Sequence, residues 1–123
     1  MKLLVVDREV HPTAVIVRAK GELDSNTIGE LTSHLAAALD DAGNLATRLV
    51  IIDLQALTYF GSAGLNALLD CHQQGREAGT TVRLVADNPL VVRPIEVTNL
   101  DSALELYPGL SDALEGREGQ QPG

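Results

Sequence analysis

The sequence predicts an α/β fold with a mixed, mainly parallel open sheet, and three observations carry that prediction. Arg48 to Leu54 has no polar alternation in its middle, as a central strand covered on both faces requires. The segments on either side of it repeat apolar residues every three or four positions, the period of helices with one buried stripe. Strands separated by helices of this length need right-handed crossovers, which place them side by side in one open sheet.

Taken in order, Leu3 to Val6 is a first short strand, followed by a turn at His11-Pro12. From Ala14 to Lys20 the chain alternates, with Val15, Val17 and Ala19 on one side and Ile16, Arg18 and Lys20 on the other; this strand is expected to stop at Gly21. The first two strands read as a hairpin, which would make Leu3 to Val6 an antiparallel edge. Ile28, Leu31, Leu35, Ala38 and Leu39 form one helical stripe between about Thr27 and Asp41. Thr27 and Glu30 have the spacing of a capping box, and Gly43 is expected to close the helix in a left-handed conformation.

After the strand at 48–54 and a turn at Tyr59-Phe60-Gly61-Ser62, Leu65, Leu68, Leu69 and His72 follow a second stripe to about Glu77, ended by Ala78-Gly79. Thr81 to Ala86 supplies another strand. Asn88-Pro89 starts a third helix, which Pro94 should kink or stop near Arg93 while Ile95 and Val97 pack on the sheet edge. Ala103, Leu104, Leu106 and Tyr107 read as a last short helix, so the expected order is β-β-α-β-α-β-α-α. Residues 1–114 form the expected single domain, and 115–123, rich in Gly, Gln and Glu, the expected flexible tail.

Composition narrows the function. Seventeen acidic against nine basic residues give a net charge of −8, and the basic residues are scattered, so no nucleic-acid surface is expected. The single cysteine, Cys71, excludes an internal disulfide, and no second thiolate offers a zinc site. His11, His34 and His72 lack ligand spacing, so no metal is expected. Neither a signal peptide nor a membrane span is read at the N-terminus, and a cytoplasmic location is the expectation.

The informative stretch is Asp53 to Leu65, where a buried strand delivers a polar loop onto a helix. Ser62 fits two roles there. It is a helix N-cap worth about 1 kcal/mol. It is equally a modification target, since a phosphate at that position would meet free helix amides and the positive end of the dipole, with Gly61 and Gly64 giving little steric cover. Asp24 reads as a cap on the approach to the first helix, and Asp53 as an acceptor for local backbone amides. No paired carboxylates suggest acid/base chemistry. Gly61-Ser62-Ala63-Gly64 lacks the lysine of a phosphate-binding loop, so the chain itself is not expected to bind nucleotide.

Gly21-Glu22-Leu23-Asp24, Asp53-Leu54, Phe60, Ser62-Ala63-Gly64-Leu65 and Val97-Thr98-Asn99-Leu100 together resemble the anti-sigma factor antagonists of the STAS domain family, from about Leu3 to Leu114. The resemblance implies a STAS-like fold, a mixed sheet with helices packed mainly on one face, in a bacterial regulator. It implies a partner, an anti-sigma factor that is also a serine kinase, with ATP consumed by that partner and no cofactor held by this chain. It places the phosphoacceptor at Ser62 in the motif D-S-[SAT]-G-L, and a partner surface at Glu22, Asp24, Gly61, Ser62, Ala63 and Gly64. One position departs: the acidic residue before the serine is Gly61 here, and glycine loosens the loop.

The expected function is therefore an anti-sigma factor antagonist, not an enzyme, that frees a sigma factor and is switched off by phosphate on Ser62; a phosphoserine phosphatase is a further possible partner. The alternative is a STAS module that binds a protein or small ligand without phosphorylation. A serine hydrolase is disfavoured because Phe60-Gly61-Ser62-Ala63-Gly64 is not the G-x-S-x-G elbow, and no histidine pairs with the serine.

Overall fold

A computed structural model describes residues 3–116. The chain forms β1 (Leu4–Val10), β2 (Val15–Leu23), α1 (Ile28–Ala42), β3 (Leu49–Phe60), α2 (Ser62–Ala78), β4 (Thr81–Val85), α3 (Pro89–Val97), a single 3-10 turn (Leu100–Ser102), β5 (Glu105–Tyr107) and α4 (Leu110–Glu115). The five strands lie in sequence order in one sheet. β1 runs antiparallel to β2 as the hairpin reading requires, and β2, β3, β4 and β5 are mutually parallel.

The alternation of β2 sorts the core. Val15, Val17 and Ala19 join Val50, Ile52, Leu54, Val82 and Leu84 on the face that α1, α2 and α3 cover through Leu31, Leu35, Leu68, Val91 and Ile95. On the opposite face Ile16, Ile51, Val85 and Tyr107 pack against Leu110 and Ala113 of the short α4. The middle of β3 is thus buried on both sides, which is why its sequence carries no polar alternation. The helices sit mainly on one face, as expected.

Several local expectations are corrected. The stretch around Leu104 is not a helix but leads into β5, because Leu104 and Leu106 turn to the main core and Tyr107 to the other face, a period of two. The final helix is α4, which follows Pro108. β2 continues beyond Gly21 to Leu23: a register shift between Gly21 and Glu22, with φ +112° at the glycine, absorbs the irregularity that read as a stop. β3 runs on to Phe60, so the segment read as a turn there is still extended. Gly43 closes α1 with φ −60°, right-handed rather than left-handed. Gly79 does end α2 in the left-handed region, at φ +78°.

α3 runs through Pro94 to Val97 instead of stopping near Arg93. Only the bond from position 94 is lost there, and Ile95 is fully buried, which holds the helix together. Val97 is 77% exposed and does not pack on the sheet. Of the expected tail, Glu115 ends α4 and Gly116 follows in a left-handed conformation; 117–123 lie outside the described residues.

Candidate functional site

Parallel pairing of β2 with β3 brings two loops together. Leu23 is in register with Phe60 and Glu22 with Tyr59, so the Gly21-Glu22-Leu23-Asp24 segment ends beside the entrance to α2. One bond closes the junction: the amide of Gly61 donates to the carbonyl of Leu23 at 2.9 Å. That bond fixes Gly61 as the last extended residue, at φ −96° and ψ 176°.

The N-cap of α2 is consequently Gly61, not Ser62. The Gly61 carbonyl accepts from the amides of Gly64 at 3.0 Å and Leu65 at 3.3 Å, while no side chain caps the helix. Ser62 is the first helical residue and is exposed. Its hydroxyl is therefore not committed to the structural role that competed with a functional one. Helix geometry leaves the amides of Ser62 and Ala63 without intrahelical acceptors, at the positive end of a 17-residue helix that has no acidic residue in its first turn.

The glycines on either side act differently. Gly64 is buried, and a Cβ there would lie 2.7 Å from Leu23 Cδ2 and 3.1 Å from Phe60 Cε1, so this glycine lets α2 approach the ends of both strands. A Cβ on Gly61 would lie 3.2 Å from Cε2 of Tyr59. Ala63 is half-buried and lines a groove of about 470 Å³ between α1 and α2, together with Ile28, Leu35, Ala67 and Cys71.

Asp24 is 7% exposed and organises the approach to α1. Its Oδ1 accepts from the amides of Asn26 at 2.8 Å and Thr27 at 3.2 Å. The Thr27 hydroxyl accepts from the Asp24 amide at 3.0 Å and donates to the Glu22 carbonyl at 2.7 Å. This reciprocal turn replaces the expected capping box; the Thr27 side chain makes no cap bond, and Glu30 lies 3.8 Å from His34 instead. Glu22 is half-buried beside Tyr59. The expectation of a capping Asp24 is met, and its burial makes it a support for the loop surface.

Asp53 does take a local amide, that of Gln55, at 3.0 Å, and stands 3.9 Å from Arg18. Among the described residues no group of histidine, cysteine and carboxylate side chains could hold a metal ion. His11 pairs with Glu9 at 3.0 Å, and His34 lies 3.2 Å from Arg8. Burial pushes the Cys71 thiol up to about 11, which disfavours the thiolate in the folded protein. No described helix is long and apolar enough to cross a membrane.

Residues 5–113 match the STAS domain. The chain belongs to the STAS domain family. It is 34% identical over 111 residues to the anti-sigma-F factor antagonist RsfB of Mycobacterium tuberculosis, covering 89% of this chain and 85% of that protein. The crystal structure of an anti-sigma factor antagonist from Mycobacterium paratuberculosis superposes with a TM-score of 0.82 at 33% identity, covering 93% of each chain. The Bacillus cell fate determinant SpoIIAA, in its phosphorylated form, shares the fold with a TM-score of 0.67 at 17% identity, covering 91% of this chain and 98% of that one.

Within this STAS domain the structure brings Glu22, Asp24, Gly61, Ser62 and Ala63 to one end of the sheet. Sequence reasoning did not single out Tyr59, and it named Leu23 within Gly21-Glu22-Leu23-Asp24 without the packing by which it meets Gly64. Tyr59 precedes Phe60, which faces the core, so strand alternation at that end was the available signal.

Proposed function

We propose that the protein is an anti-sigma factor antagonist that binds a kinase-type anti-sigma factor at the Ser62 loop and loses that binding when Ser62 is phosphorylated. The observation that carries the reading is the state of Ser62: exposed, at the first position of α2, with its hydroxyl unused as a cap. Similarity to RsfB, itself an anti-sigma-F factor antagonist, supports the class of partner. The chain is then a kinase substrate and not an enzyme, ATP belongs to the partner, a phosphatase is the natural means of reversal, and the exchange takes place in the cytoplasm.

The switch needs only charge. A phosphoserine brings about 1.5 to 2 negative charges at neutral pH, which the free amides of Ser62 and Ala63 can receive without unfolding the helix. The same charges at a fitted interface must be desolvated or matched by the partner. Incubation with ATP and a panel of purified kinase-type anti-sigma factors, starting with the anti-sigma-F factor of M. tuberculosis, should add one phosphate by intact mass, and none to Ser62→Ala. Calorimetry should give Ser62→Ala an affinity within about tenfold of wild type and Ser62→Asp a weaker one. Equal affinities of the two variants would refute the charge switch. Binding without phosphate transfer would leave a STAS binding module.

A further inference from the structure

We propose that Tyr59 and Gly61 form one recognition element beside Ser62, in which the glycine leaves the space for the phenol ring and the ring is an apolar contact read by the anti-sigma partner. The proposal rests on the reading that this partner docks at the Ser62 loop. It adds the side chain that selects the partner and the chemistry of the contact.

The backbone does not call for glycine at position 61. Its φ of −96° and ψ of 176° are extended values that any residue adopts. Space beside the Tyr59 ring is what the glycine provides. A Cβ there would stand 3.2 Å from Cε2 and 3.6 Å from the hydroxyl oxygen of Tyr59, with the Leu23 carbonyl oxygen also at 3.6 Å. Tyr59 and Gly61 are two residues apart in extended chain, so their side-chain directions lie on the same side, while Phe60 between them turns into the core. A side chain at 61 would therefore begin in tight contact with the ring, which would have to give by a few tenths of an ångström.

Tyr59 is nonetheless 48% exposed, one of the few large side chains outside the core to be so. Ser62 follows Gly61 directly, so a partner that covers the serine also comes near the ring that borders Gly61. An aromatic ring of this kind offers large contact area at low conformational cost, which is why tyrosine is frequent among the residues that dominate interfaces. The complementary surface is an apolar patch on the partner, placed next to the pocket that receives the serine.

The coupling is tested first in the free protein. The chain has two tyrosines, so Tyr107→Phe assigns the ring resonances of Tyr59 in an NMR spectrum. Gly61→Ala should shift those resonances while leaving the core methyl signals in place; unchanged ring resonances overturn the coupling whatever the partner does. Recognition is then tested by calorimetry against the same panel of kinase-type anti-sigma factors. Tyr59→Ala and Gly61→Ala should each weaken binding by about tenfold or more, the double variant no further than about twofold beyond the weaker single, and Tyr59→Phe should bind as wild type. Full affinity of Tyr59→Ala, or losses that multiply in the double variant, overturns the proposal. A wild-type protein that binds no member of the panel counts against the partner reading and against the ring as its contact, a result distinct from wild-type binding that ignores Tyr59.

Discussion

Gly64→Ala and Gly29→Ala are the same substitution in two helices, and the structure assigns them opposite signs. At Gly29, in the first turn of α1, a Cβ meets nothing within 4 Å, so only helix propensity acts and the variant should gain about 0.5–1 kcal/mol. At Gly64 the same propensity gain is opposed by contact with Leu23 at 2.7 Å from Cδ2 and 2.9 Å from Cγ, and with Phe60 Cε1 at 3.1 Å. Leu23 is fully buried and Phe60 nearly so, so neither can swing into solvent, and α2 itself has to move. Overpacking of this kind costs about 1–3 kcal/mol, and with two buried neighbours the upper part of that range applies, for a net loss of about 2 kcal/mol after propensity. Urea melts read both effects as midpoint shifts at constant slope. Combining Gly64→Ala with Leu23→Val should recover part of the loss, since it removes a methylene from the clash. A Gly64→Ala midpoint at or above wild type would refute the packing account.

Three further outcomes follow from particular contacts. Arg83 donates to Glu105 at 3.1 Å and to the carbonyl of Ala113 at 2.9 Å, tying α4 to β4 and β5; Arg83→Met should cost about 1–3 kcal/mol and speed amide exchange in α4 before the rest of the chain, and uniform exchange would count against it. The Cys71 thiol, raised to about 11 by burial, should react with a disulfide reagent at pH 8 only as fast as the protein opens, so a rate equal to that of a small free thiol would contradict its placement. Hydrogen bonds from Arg18 and His11 hold the Glu9 carboxyl below its ordinary value, so their stabilising effect is present above the unfolded value and lost as pH falls through the folded one; Arg18→Ala should raise the Glu9 titration midpoint seen by NMR, and an unchanged midpoint would refute the pairing.

What the residues make legible depends on how many positions share one signal. β3 has a run of apolar residues and α1 a stripe of five, so each survives a local irregularity. β5 has three residues, and Ala103, Leu104, Leu106 and Tyr107 satisfy a helical spacing as well as a strand period; only pairing of Arg83 with Glu105, Leu84 with Leu106 and Val85 with Tyr107 decides between them. The cap of α2 escaped for another reason. Serine is a good capping residue, but the bond from the Gly61 amide to Leu23 comes from a strand 38 positions away and sets where the helix begins. Tyr59 escaped for the same reason, since its relation to Gly61 depends on how far β3 stays extended.

The register that hid these features also joins the two loops mechanically. The Leu23 carbonyl holds Gly61, its side chain fills the space left by Gly64, and the neighbouring Glu22 carbonyl and Asp24 amide hold Thr27 at the entrance to α1. The Glu22–Asp24 loop and the Ser62 loop are thus ordered by one strand end, and neither has to wait for a partner to be brought beside the other. With Ser62 as phosphoacceptor, a phosphate there would meet first-turn amides at the positive end of α2, an arrangement that favours the charge locally. Its repulsive effect would reach outward instead, over a screening length of about 8 Å, across a surface whose chain already carries a net charge of −8. On the proposed reading, phosphate at Ser62 would change what the surface attracts without requiring α2 to unwind.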